Sequence, residues 1–157
     1  TPFRLYKSRV HEGGVATPLI VSWPSRIQSP GELRRQTGHI IDIMATLVAV
    51  TGTSYPTERK GHPVPPMEGR SLVPAFDNRS LEREAVYFEH EGSRAVIAGK
   101  WKLVADGKDG SWELYDLERD RTETHNLAEQ DPERVEELAS SWHSWAERAG
   151  VLPWPWD

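Results

Sequence analysis

"AVYFEHEGSRAVIAGKWKLVADGKDGSWELYDL", residues 85–117, packs four short runs into one stretch: 85–89, 94–98, 101–105 and 112–117. Each is rich in β-branched and aromatic residues, and Gly92, Gly99 and the DGKDG of 106–110 punctuate them. Short apolar runs parted by turn residues predict an antiparallel meander of four strands. Downstream, Asp131 reads as an N-cap, Pro132 as the first helical residue and Glu133 as a first-turn acid. Val135, Leu138, Ala139, Trp142, Trp145 and Ala146 then fall on one stripe before Gly150 stops it. At ~1.5 Å per residue this helix is roughly 27 Å long, enough to cover one face of the meander. The expected fold class is therefore α+β, with Trp101, Trp112 and Tyr115 packed between sheet and helix. Asp116, Asp120, Glu123 and Asn126 are expected to fix the turn into the helix by local backbone hydrogen bonds.

Upstream the texture changes. "PLIVSW" at 18–23 reads as a buried strand stopped by Pro24. "TGHIIDIMATLVAV" at 37–50 places Ile40, Ile41, Met44, Leu47 and Val48 on one stripe ahead of Gly52, so a helix with a buried apolar face is expected. Thr37 or His39 is placed at its cap and Asp42 at its positive end. One strand and one helix cannot close a parallel layer, so residues 1–52 read as the tail of a larger α/β domain. Residues 53–84 carry five prolines and read as a connecting segment, and 85–157 as the sheet-and-helix subdomain.

The 157 residues are 27% charged and 37% hydrophobic, as in a globular protein, and lack an initiator Met, which suggests a fragment or a processed or trimmed chain. Net charge is −5, which gives no general affinity for nucleic acid or anionic membrane. No 18-residue apolar stretch or signal core is found. Cysteine is absent, so disulfides, thiolate metal sites and cysteine nucleophiles are excluded within the chain, while its compartment stays open. Any anion site must be local, and "YKSRVHEGGVATP" at 6–18 offers one: Lys7 lies five residues ahead of Glu12-Gly13-Gly14. The residues alone leave two readings, a solvated loop charge or one corner of an anion pocket.

Several further stretches bear on that choice. These are K-x-x-x-H-E-G-G-V-A-T-P at 7–18, IVSWP at 20–24, H-I-I-D-I-x-x-T-L at 39–47, MEGRSLVP at 67–74, FEHEGSRAV at 88–96, GKWKLV at 99–104 and E-L-Y-D-L-x-x-D-x-x-E-x-x-N-L at 113–127. In this order they resemble the C-terminal part of the type I sulfatases, the arylsulfatase family of the alkaline-phosphatase-like superfamily. The resemblance implies a parent enzyme that hydrolyses sulfate esters with a formylglycine nucleophile and calcium. It implies that Lys7 reaches the sulfate group, and that nucleophile and calcium ligands lie outside this chain, so the fragment alone is expected to be inactive and to bind no metal. Ser22-Trp23-Pro24-Ser25-Arg26 matches the formylglycine pattern formally, but it sits in the late IVSWP region and lacks the upstream acidic pair. His90 and Arg94 are implied at the mouth of the active site, where His90 binds a substrate hydroxyl or carries a salt bridge. His11 is implied either at the substrate or in the packing behind it. Expected partners are a sulfate ester, the N-terminal catalytic portion and, for an isolated fragment with an open strand edge, a second copy. The resemblance favours a periplasmic or secreted setting. Two rival readings stand beside it: a phosphodiesterase or phosphonate hydrolase of the same superfamily, and a non-catalytic binding or scaffold domain. The PWPWD tail at 153–157 either packs back on the sheet or mediates contacts.

Overall fold

The computed structural model describes residues 2–155, and the chain divides into two compact units, one formed by 1–19 with 84–157 and the other by 20–83. These units cut the chain differently from the sequence segments 1–52, 53–84 and 85–157. The reason is that Val10, His11 and Glu12 are buried in the unit that holds the meander.

In that unit the meander forms as its alternation dictates. Strands β3 (Val86–His90), β4 (Ser93–Ala98), β5 (Trp101–Ala105) and β6 (Glu113–Asp116) pair antiparallel in chain order. Gly92 and Gly99 take positive φ at the two tight turns. Helix α4 (Pro132–Arg148) begins as expected, with the Asp131 carboxylate accepting the Arg134 N–H at 3.0 Å and Pro132 in its first turn. Its buried Leu138, Trp142 and Ala146 meet Val96, Leu103 and Leu114, while Trp101, Trp112 and Trp145 close the edges of the cluster. The Trp142 indole N–H donates to Phe88 O at 3.0 Å, so the ring is buried without an orphaned donor. Trp154 also packs on this cluster, so that part of the tail folds back; Trp156 and Asp157 lie outside the described residues.

The register Leu103↔Leu114 and Lys102↔Tyr115 sends Leu114 toward the helix and Tyr115 to the other face. Tyr115 therefore does not join the sheet–helix aromatics. It packs with Val10, Ala95 and Val104, beside the partly buried Val15 and Phe88. The short helix α1 (Glu12–Val15) and the residues before it thus cover the face that α4 leaves open. Asp116, Asp120 and Asn126 make the expected local turn bonds. Glu123 instead accepts the Glu12 N–H at 2.8 Å, 111 residues away in sequence.

The second unit departs further from expectation. Residues 18–23 form no strand: Ile20 is 92% exposed, and none of the described residues supplies the neighbouring strand that its backbone would need. Helix α2 spans Asp42–Thr51, five residues later than the apolar run suggests, and Gly52 ends it in the left-handed region. Its cap position is Ile41, without a side-chain cap, so neither Thr37 nor His39 fills that role. Its buried face is Asp42 and Ala45, not the apolar stripe, whose Ile40 is 73% exposed and whose Met44 and Leu47 are exposed as well. The cause is polar. The Asp42 carboxylate accepts the N–H groups of His39 and Arg70 and pairs with Arg83, and Thr46 Oγ1 accepts the Leu72 N–H. The backbone at 69–72 claims the polar side of the helix, and Gly69 is the residue that fits, since a Cβ there would lie 2.2 Å from Ile41 O. A two-residue hairpin, β1 (Glu58–Arg59) and β2 (His62–Pro63), and the single turn α3 (Val73–Phe76) complete this unit.

Candidate functional site

Lys7 stands on an exposed turn and makes no hydrogen bond or ion pair among the described residues. Its φ is +62°, and Leu5 two residues earlier has φ +56°. Non-glycine residues held there cost of order 1–3 kcal/mol each, so the surroundings must impose the conformation. Gly13 and Gly14 make the close packing that does so possible. A Cβ on Gly13 would lie 1.9 Å from Leu5 O, and one on Gly14 would lie 1.7 Å from Arg9 O. The glycines let the backbone of 4–9 lie directly on α1, and the Gly13 N–H donates to Arg4 O at 2.9 Å. Glu-Gly-Gly is thus the seat of the Lys7 turn.

Both shoulders of the turn are tied to the sheet. On one side Arg4 Nη1 donates to Glu113 Oε2 at 2.5 Å and to the Tyr115 hydroxyl at 2.6 Å, and that hydroxyl donates to the same carboxylate at 2.6 Å. Burial pushes the Glu113 carboxyl up, but the bonds from Tyr115, Arg4 and His11 outweigh it and hold the group below its usual range. Burial and the bond to Glu113 keep the Tyr115 hydroxyl protonated beyond its ordinary range. On the other side Arg9 Nη1 lies 2.6 Å from Asp106 Oδ1, which also accepts from Ser93 Oγ at 3.2 Å. Asp106 therefore joins the Lys7 segment to the start of β4.

Beneath α1 lies a charged core. Lys102, on β5, is fully buried; its Nζ donates to Glu12 Oε1 at 3.2 Å and makes a 2.9 Å ion pair with Glu123 Oε1 that lacks good hydrogen-bond alignment. Arg121 Nε approaches the other Glu12 oxygen at 3.3 Å, and Glu123 holds its carboxylate there with φ +56°. Buried charges persist only when paired, and here two carboxylates share one ammonium and one guanidinium.

The four residues singled out by sequence fall in different settings. Lys7 is solvent-facing and, among the described residues, its side chain is unengaged, as is that of His90 at the exposed end of β3. His11 is wholly buried, with Nε2 at 3.4 Å from Glu113 and no partner for Nδ1. Burial lowers its pKa, against the pull of Glu123 and Glu113. Arg94 is engaged by its own chain: it donates to the carbonyls of Gly107, Lys108 and Gly110 at 2.8, 3.1 and 3.0 Å and lies 4.5 Å from the Trp112 ring centroid. Among the described residues no bond links the Lys7–His11 pair to His90 or Arg94 directly; Asp106 is the bridge between their segments. Sequence reasoning passed over Arg4, Arg9, Asp106 and Glu113. The usable signal was the run Arg4-Leu5-Tyr6-Lys7-Ser8-Arg9, three cations in six residues, of which two need carboxylates to leave one unpaired.

Among the described residues no group of three or more His, Cys, Asp or Glu is arranged to hold a metal, and no helix is long and apolar enough to cross a membrane. Comparison with known proteins adds the family. A family model described as N-sulphoglucosamine sulphohydrolase, C-terminal, matches residues 3–145. A sulfatase of Schizosaccharomyces pombe is 29% identical over 163 residues, covering 99% of this chain and 29% of that protein. The N-acetylgalactosamine-6-sulfatase of Canis lupus familiaris is 31% identical over 115 residues, covering 73% of this chain and 21% of that protein. A solved structure from work on the metabolism of multiple glycosaminoglycans by Bacteroides thetaiotaomicron superposes with a TM-score of 0.70 at 26% identity, over 91% of this chain and 32% of that one. The chain thus spans between 21% and 32% of the length of these relatives. The meander, the glycine-seated lysine turn and most of the capped helix fall within one matched region, and the chain belongs to the N-sulphoglucosamine sulphohydrolase C-terminal family, as the C-terminal portion of a sulfatase of the alkaline-phosphatase-like fold.

Proposed function

We propose that the protein containing this chain hydrolyses sulfate esters, and that this portion lends the reaction one cation, Lys7. The observation that carries the reading is an exposed, unpaired ammonium in a left-handed turn that Glu12-Gly13-Gly14 and two flanking arginines hold in place. A sulfate ester gathers negative charge on its oxygens as the S–O bond breaks. A fixed ammonium ~3–4 Å away contributes a few kcal/mol at an effective dielectric near ~20. The relatives bear sulfatase names, which favours this reading over a phosphonate hydrolase or a scaffold domain.

In this reading the formylglycine nucleophile and calcium are supplied by the N-terminal catalytic portion, and the 157-residue chain alone turns nothing over. That portion also covers the apolar stripe of α2 and the exposed Ile20, which in the isolated chain favour self-association. The exposure of His90 supports assigning it to a substrate hydroxyl. His11 and Arg94 act through what they hold, His11 behind the Lys7 turn and Arg94 in the loop after β5.

The test is steady-state hydrolysis of para-nitrophenyl sulfate by the full-length protein and its Lys7→Met variant. The expected result is a loss on the order of 100-fold or more in kcat/KM with an unchanged melting temperature. Equal activity in the two proteins refutes the role of Lys7. Turnover by the 157-residue chain alone, with or without calcium, refutes the division of labour.

A further inference from the structure

Lys7 lies between two arginines that are each bound to a carboxylate of the sheet, and this arrangement has a purpose beyond burial. The Arg4–Glu113 pair is half-buried and closed by Tyr115. The Arg9–Asp106 pair is exposed on both partners, so it adds little to folding by itself. Both arginines occupy a segment that holds two non-glycine residues at positive φ, Leu5 and Lys7. An exposed turn held that way relaxes unless its ends are fixed, and a lysine on a relaxed turn loses its aim.

We infer that Arg4 with Glu113, and Arg9 with Asp106, form a two-point clamp that positions Lys7 toward the sulfate of the substrate; the inference rests on the sulfate-binding role proposed for Lys7. None of the four clamp residues touches the substrate in this scheme. They neutralise the charge on either side of Lys7, so that one ammonium stays uncompensated, and they fix the two ends of its turn. Because Asp106 Oδ1 also takes the Ser93 hydroxyl, the clamp keeps Lys7 in register with the β3–β4 hairpin that carries His90. The clamp is thus a candidate determinant of which sulfate position on a substrate meets the cation.

A double-mutant cycle on the full-length protein tests this, with para-nitrophenyl sulfate as the probe and kcat and KM measured separately. Glu113→Gln removes one anchor. Asp106→Asn removes the other, at an exposed pair where loss of folding is not expected. With Lys7 present, each is expected to lower kcat/KM by about tenfold, since misplacing a catalytic group by about 1 Å costs up to about 100-fold. With Lys7→Met in the background, the same substitutions are expected to cost less than about twofold, because there is no ammonium left to aim. The charge-reversed pair Arg9→Asp with Asp106→Arg is expected to restore most of the loss seen with Asp106→Asn. Equal fold-losses in both backgrounds, or activity retained when each anchor is removed, overturn the clamp while leaving Lys7 as the sulfate ligand. No loss on Lys7→Met itself overturns the sulfate role, and the clamp with it.

Discussion

The two compact units solve the burial problem in opposite ways. In the unit built from 1–19 and 84–157, both faces of a four-stranded sheet are covered, one by α4 and one by α1 with the segment before it. In the unit of 20–83 the most apolar helix turns a polar face inward and leaves Met44 and Leu47 in solvent, alongside Ile20 and Leu33 at 92% and 84% exposure. Hydrophobic patterning predicts that a face is to be buried without saying against what. In the first unit the partner is within the chain. In the second the buried side is decided by hydrogen-bond demand at 69–72, and the apolar side awaits something else.

The contrast can be broken by substitution, and the largest effect belongs to the first unit. Lys102→Ala leaves Glu12 and Glu123 buried without their ammonium, and is expected to destabilise the 157-residue chain by roughly 3–5 kcal/mol in urea unfolding. A loss under about 1 kcal/mol would mean that water reaches the pair and the core is not closed. Gly14→Ala comes next: its methyl collides with Arg9 O, and the expected loss is about 1–3 kcal/mol, with a matching fall in activity of the full-length protein as the Lys7 turn lifts.

A smaller effect depends on pH. Burial holds His11 below the usual histidine range in the folded state, so the unfolded chain takes up its proton first. Stability therefore falls as pH drops from about 6.5 toward the folded value, and is unaffected by this group above that window. The groups facing His11 are Arg4, Glu113 and Glu123, and Glu113, held below the usual carboxylate range, contributes only at lower pH. In His11→Gln the slope just below about pH 6.5 is expected to flatten, which urea unfolding at a series of pH values reads directly. The smallest effect belongs to the second unit. Ile40→Ser is expected to change the stability of the chain by no more than about 0.5 kcal/mol, and that of the full-length protein by more. Equal, large losses in both would show that the stripe is buried within the chain after all.

Legibility followed locality. Strands β3 to β6 were legible because alternation, glycine spacing and pairing all act between neighbours in sequence, and α4 because Asp131, Pro132 and Gly150 mark its ends. Residues 18–23 misled because a β-branched run states a preference that only a neighbouring strand can satisfy. The start of α2 misled because Asp42 answers to Arg70 and Arg83, about 30 to 40 residues on. In the site, Lys7 and its glycine seat could be read from spacing and resemblance. What fixes them could not: Arg4 and Glu113 are 109 positions apart, and Glu12, Lys102 and Glu123 each look like ordinary surface charges until the fold brings them together.

That separation gives the order of events during synthesis a direct bearing on how the Lys7 turn is built. The turn bearing Lys7 leaves the ribosome before the sheet that holds it, and its anchor on β6 is more than a hundred residues behind it, a delay on the order of ten seconds at ~5–20 residues per second. Until β6 arrives, the segment has neither its carboxylate nor the sheet to lie on, and its left-handed residues are at liberty to relax. A nascent chain truncated before Glu113 would carry the lysine without one of the carboxylates that tie its turn to the sheet, so the last strand of the meander completes a segment made more than a hundred residues earlier.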